Sequence, residues 1–154
     1  MSSEERRQKN TNRFVAMNAF VAFMLTYGGT CLNYQDLALA TLSFALEYPD
    51  PIETETGPTT QHLGDRWNCH ILASAKVIEI AGRLIYSWEC ELEFGEGEGG
   101  PLWNGKHGFG KERWLYWQRR FASLGHDFQR LQLSEEARRS ARKASETMWM
   151  ISNQ

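Results

Sequence analysis

A chain of 154 residues that is 42% apolar and 23% charged, with a formal net charge of -2, has the composition of one globular domain, which at this length buries about 68–70% of its unfolded surface. That balance excludes a disordered chain and a surface that seeks nucleic acid generally, so nucleic acid is not an expected partner. Three cysteines without CxxC spacing point to a reducing compartment, and neither a secretory signal nor an apolar run near the ~20 residues of a bilayer span is visible. The expectation is a cytoplasmic or nuclear protein with no membrane contact.

The first ten residues are charged and read as a flexible N-terminus, ahead of a single helical domain over residues 11–154. A first helix is expected from Thr11 or Asn12 to the Gly28-Gly29 stop. Phe14, Met17, Val21 and Met24 form its stripe, and Phe20, Phe23 and Tyr27 widen it, which implies a helix packed on several sides. Asn33 caps a second helix, where Leu37, Phe44 and Tyr48 with Leu42, Ala45 and Leu46 continue the core. Pro49 ends it, and a loop runs to Thr60. The third helix carries the strongest pattern: from Asp65 onward, Trp67, Ile71, Ser74, Ile78, Ala81, Ile85, Trp88 and Leu92 recur at alternating steps of four and three. It dissolves in the acidic glycine run of residues 95–100, read as a flexible linker.

A loop punctuated by Gly100, Gly105, Gly108 and Gly110 carries Trp103, Lys106, His107 and Phe109, then opens into a fourth helix closed by Gly125. There Trp114, Trp117, Phe121 and Leu124 share a stripe, and Arg113, Arg119 and Arg120 take other faces. The third helix is the expected partner of that stripe. Ser134 caps a last helix whose stripe is Ala137, Ala141, Ala144, Met148 and Ile151. With no run that alternates like a strand, the fold class is all-α: a single-domain bundle of about five helices with a long central helix and a Gly/Trp-rich loop.

Motifs that would announce chemistry fail on inspection. Gly105 to Lys111 spells GxxxxGK, but Glu112 stands where a hydroxyl should ligate magnesium, and no strand precedes it. His62, His70, His107 and His126 have no metal-ligand spacing, and Cys69 and His70 lie about 100° apart on a helix, so neither metal nor cofactor is expected. No catalytic residue can be named; Asp65, Glu79 and Glu89 read as a solvated face. Residues 47–98 hold eleven acidic against three basic side chains and residues 106–143 ten basic against four acidic, so the two halves are expected to attract each other.

The segment GGPLWNGKHGFGKERWLYWQRRF, with RFVAMNAFVAFML before it and LSEEARRSARKASETMWMI after it, resembles an uncharacterised fungal family of small helical proteins, a domain of unknown function with a GPLWxGKxGFxxERWxxWxxRF motif. The resemblance implies a mainly helical intracellular protein and carries no catalytic residues. Where the family has a Ser-type cap before the ERW segment, this chain has Gly110-Lys111. Two functional expectations follow. One is a non-catalytic helical interaction module that binds a protein partner or itself, through residues such as Phe20, Phe23 or Tyr34. The other is a small-molecule binding protein or cofactor-free enzyme, with an aromatic pocket between the central helix and the Trp103 loop. Its ligand-binding candidates are Trp88, Trp103, Lys106, His107, Arg113, Trp117 and His126.

Overall fold

Local capping decides where the helices begin. In the computed structural model, which describes residues 1–27, 34–50, 58–88, 99–127 and 133–154, helix α1 spans Ser3–Tyr27. It starts there because Ser2 and Glu5 form a capping box: the Glu5 amide donates to Ser2 Oγ at 3.1 Å, and the Ser2 amide donates to Glu5 Oε2 at 2.5 Å. The expected start at Thr11 or Asn12 is two turns late, because this S-x-x-E box sits in a run read only for its charge.

Helix α2 spans Tyr34–Leu46, α3 Pro58–Ser87, α4 Lys111–His126 and α5 Glu135–Ser152. Proline suits the first turn of α3, where its missing N–H loses no partner. So α3 starts seven residues before Asp65, and residues 58–60, expected in the loop, belong to the helix. Trp88 follows α3, its amide donating to the Ile85 carbonyl at 3.0 Å. Cys31, Asn33, Glu89, Cys90 and Leu92 lie outside the described residues; Cys69 is a free thiol. Gly110 is the N-cap of α4 with no side-chain hydrogen bond, whereas Ser134 Oγ accepts from the Ala137 amide at 3.1 Å and caps α5.

Helix α3 is the central rod: α1, α2 and α5 all pack against it, and α5 packs equally on α4. Trp67, Ile71, Ser74, Ile78, Ala81 and Ile85 are buried along α3, as are Trp114, Trp117, Phe121 and Leu124 along α4. The expected direct docking of α4 on α3 is corrected in one respect. The backbone of α5 comes close to both helices through Ala137, Ala141 and Ala144, and α4 reaches α3 mainly with large side chains, such as Trp114 against Tyr86 at 5.1 Å. Residues this small allow close helix approach, so α5 works as a thin spacer. Trp114 Nε1 donates to Ser152 Oγ at 2.9 Å and ties the far end of α5 into place.

The first two helices depart furthest from expectation. Val21 is buried on α1 and Leu42, Ala45 and Leu46 on α2, but Met17, Phe20, Phe23 and Tyr27 and likewise Leu37, Phe44 and Tyr48 are exposed. Each of these helices therefore leaves one apolar face open to solvent. The two are joined by a buried polar contact, Thr41 Oγ1 donating to Asn18 Oδ1 at 2.6 Å.

Replacing the α5 cap, Ser134→Ala, removes an acceptor from the first turn and should cost about 1 kcal/mol. The expected readout is a fall in Tm of roughly 2–4 °C; an unchanged melting curve would show that the cap contributes nothing here.

Candidate functional site

The glycine loop is held down by a buried carboxylate that belongs to another part of the chain. Glu47, just past the end of α2, is fully buried, and so is Arg113 in the first turn of α4. Arg113 donates from Nε to Glu47 Oε1 at 2.7 Å and from Nη2 to Oε2 at 2.8 Å, a two-point pairing. Its Nη1 donates to the Gly108 carbonyl at 2.8 Å and its Nη2 to Ser43 Oγ at 2.9 Å. Glu47 also accepts from Trp117 Nε1 at 2.7 Å and from the Gly100 amide at 2.7 Å, and its own carbonyl accepts from the Leu102 amide at 2.9 Å. The guanidinium carbon lies 5.5 Å from the Trp103 ring centre and 5.3 Å from that of Trp117, within cation–π range of both indoles.

Gly99 makes this approach feasible. Its φ is +91°, and a methyl group there would lie 2.7 Å from Trp103 Cδ1 and 2.8 Å from both Arg113 Nη2 and Glu47 Oε2. Only glycine fits such a site. The linker reading of residues 95–100 therefore fails at Gly99 and Gly100, which are pinned to Glu47; residues 95–98 lie outside the described residues.

The candidate ligand residues separate into three groups. Trp103, Lys106, His107 and Arg113 border one open cleft of about 360 Å³ on the outer side of the loop, together with Phe109, Lys111 and Glu112. Within it Trp103 is only half-exposed, its Nε1 donating to the Lys106 carbonyl at 2.9 Å and its ring 5.4 Å from Tyr116. Trp88 and Trp117 lie on the inner side, packed edge-on against Phe109 at 4.5 Å and 5.7 Å. The gap that these three rings help to border is about 10 Å³, room for one water at most. His126 ends α4, about 22 Å along the helix from Lys111 at 1.5 Å per residue, away from the other six.

Arg113 is the largest correction. It was expected off the stripe, yet it sits one turn before Trp117 and is turned inward. Arg120 is similar: its Nε donates to the Leu46 carbonyl at 2.9 Å and its Nη2 lies 3.1 Å from Asp50 Oδ1, in a pair largely shielded from water. The two ion pairs, Glu47 with Arg113 and Asp50 with Arg120, join the acidic and basic stretches, as their opposite charge predicts.

Sequence reasoning missed Glu47 altogether. Charged residues at helix ends are ordinarily solvated, and the available signal, an acid flanked by Leu46 and Tyr48 after an apolar helix, is faint. Burial alone pushes the Glu47 carboxyl up; Arg113, with help from the Gly100 amide and the Trp117 indole, reverses this and holds it below the usual carboxylate value. His70 has no such compensation. Burial first, and Arg66 second, hold its pKa below the ordinary value, and its ring packs against Phe14 at 5.2 Å and Phe44 at 5.8 Å.

Removing one partner of a buried ion pair costs about 3–5 kcal/mol out of a typical 5–15. Glu47→Gln and Arg113→Met should each approach that loss in denaturant titrations, and the double variant should lose clearly less than the sum, since each single change already breaks the same pair. Additive losses would show the pairing to be energetically idle. Because the folded Glu47 pKa lies below the unfolded one, its contribution is full above the ordinary carboxylate pKa and disappears as pH falls through the folded value; Glu47→Gln should flatten that acid limb. For His70 the unfolded chain protonates first, so stability should decline as pH falls below about 6.5. His70→Phe should remove part of that decline, and an identical pH profile would exclude it as a source.

The chain belongs to the DUF3632 family of proteins of unknown function, whose family model matches residues 1–121. The match takes in α1 through α3, the glycine loop, Glu47, Arg113 and Trp117, and ends at Phe121 inside α4. No curated protein and no solved structure matches the chain. Among the described residues no cluster of His, Cys, Asp or Glu has the arrangement of a metal site, and no helix is long and apolar enough to cross a membrane.

Proposed function

We propose that the chain is a non-catalytic helical module that works by protein–protein contact through the outer surface of α1 and α2. One observation carries the reading. On the last three turns of α1, Phe20, Phe23 and Tyr27 are 57%, 52% and 72% exposed, on the side opposite Asn18, Val21 and Ala22, which face the core. Residues 16–27 contain no Asp, Glu, Lys or Arg. A monomer scatters its exposed apolar residues, whereas a contiguous set of this kind marks a contact surface.

The alternative, an aromatic small-molecule pocket between α3 and the Trp103 loop, has less in its favour. The space beside Trp88, Phe109 and Trp117 is occupied by the rings themselves, and the cleft outside Trp103 is open.

Size in a cell extract tests the reading, whatever the partner. Wild-type chain should elute well above its 17.8 kDa mass, and Phe20→Glu/Phe23→Glu should return it to that mass. Leu115→Glu/Trp149→Glu, which changes exposed apolar residues on α4 and α5, should leave the large species intact. Wild type eluting at 17.8 kDa, or equal disruption by both pairs, would overturn the proposal.

A further inference from the structure

Away from the outward aromatic residues, the first halves of α1 and α3 enclose a cavity of about 470 Å³, where Arg7, Thr11 and Phe14 stand opposite Asp65, Cys69 and His70. Small-molecule sites occupy about 300–1,000 Å³. The geometry points to this cavity as the binding site of a small α-hydroxy carboxylic acid with an apolar body, its carboxylate held by Arg7 and Arg66 and its hydroxyl by Asp65.

Three observations carry this assignment. The first is incomplete bonding. Buried polar side-chain atoms normally find partners. Among the described residues, Asp65 Oδ2 and His70 Nδ1 are both closed off from solvent without a hydrogen bond, and both side chains border this cavity. Arg7 Nε lies 3.6 Å from Asp65 Oδ2, beyond hydrogen-bond range, so the ion pair leaves bonding capacity on both sides. A ligand anion that draws Arg7 away opens Oδ2 to a donor.

The second is charge. Arg7 and Arg66 stand against the single carboxylate of Asp65, which leaves one positive charge in excess on the cavity wall. His70 adds none at neutral pH, because burial first and Arg66 second hold its pKa below the ordinary value. A surplus positive charge favours a monoanion over a zwitterion, and a guanidinium can grip a carboxylate at two points.

The third is the division of the wall. Phe14 is half-buried, its ring edge-on to His70 at 5.2 Å. It lies two turns from Arg7, about 10 Å along α1 at 1.5 Å per residue, so the cavity has a charged end and an apolar end. Thr11 Oγ1 meets Cys69 Sγ at 2.9 Å between them and ties the two helices together.

Cys69 reports occupancy of the cavity. In a chain carrying Cys31→Ser/Cys90→Ser, millimolar phenyllactate should slow alkylation of Cys69 by iodoacetamide several-fold, as followed by mass. Hydrocinnamate, which lacks only the hydroxyl, should bind about tenfold more weakly. Phenylalanine, the zwitterion of the same shape, should also bind more weakly than phenyllactate. Asp65→Ala should abolish the difference between phenyllactate and hydrocinnamate, and Arg66→Gln should weaken both, each with an unchanged melting curve. Arg83→Gln, at an exposed position farther along α3, should alter neither affinity. The site would be overturned by an unprotected Cys69 in phenyllactate, by equal binding of the two acids to wild type, or by tighter binding of phenylalanine. Equal losses from Arg66→Gln and Arg83→Gln would overturn it too, since they would reduce the effect to general surface charge.

Discussion

The structure depends on one buried carboxylate and the guanidinium that neutralises it. Taking Glu47 and Arg113 out of water costs several kcal/mol for each ion, and their attraction offsets this only with good geometry and with the remaining lone pairs and protons satisfied. The surroundings meet that condition. Trp117, the Gly100 amide, the Gly108 carbonyl and Ser43 complete the hydrogen bonds, and indole rings flank the charge. As a result α2, the glycine loop and α4 are joined by one polar cluster, with Arg120 adding its bonds to the Leu46 carbonyl and Asp50, although α2 and α4 share little direct packing. The glycines serve this cluster. Gly99 has to be left-handed and without a side chain because the carboxylate, the guanidinium and Trp103 crowd its α-carbon.

Much of the bundle was legible in the sequence, because its buried residues recur at helical spacing. The buried stripes of α3 from Trp67 to Ile85, of α4, and of α5 from Ala137 to Met148 follow that spacing, as does the Ser134 cap, whereas Trp88 lies past the end of α3 and Ile151 is only half-buried. What misled was chemistry that departs from the residue's usual habit. Arg113 and Glu47 are charged, and charge ordinarily signals exposure. The large side chains of α1 and α2 are apolar, and apolarity ordinarily signals burial, although Phe20, Phe23, Leu37 and Phe44 face outward. The candidate site divided for a related reason: periodicity groups residues along one element, whereas the cleft beside Trp103 is defined by loop geometry that no period encodes.

The family match and the fold divide the chain at different places. Residues 1–121 contain the whole Glu47–Arg113 cluster and the outward apolar face of α1 and α2. The bundle, however, is closed by α5, whose small-residue face lies against both α3 and α4 and whose Ser152 holds Trp114. The matched region thus carries the distinctive polar cluster, while the helix beyond it supplies the complementary wall of the core.

The separation of the paired residues along the chain also bears on kinetics. Glu47 and Arg113 are 66 residues apart, so the loop between them must close before either can shed its water, and the pairing has to wait for a collapsed chain to enclose it. Interactions absent from the folding transition state, when deleted, speed unfolding far more than they slow folding. The ion pair is therefore a latch on the native lifetime: in a chevron its loss would fall on the unfolding arm, and a chain without it would still fold at nearly the same rate while opening more often.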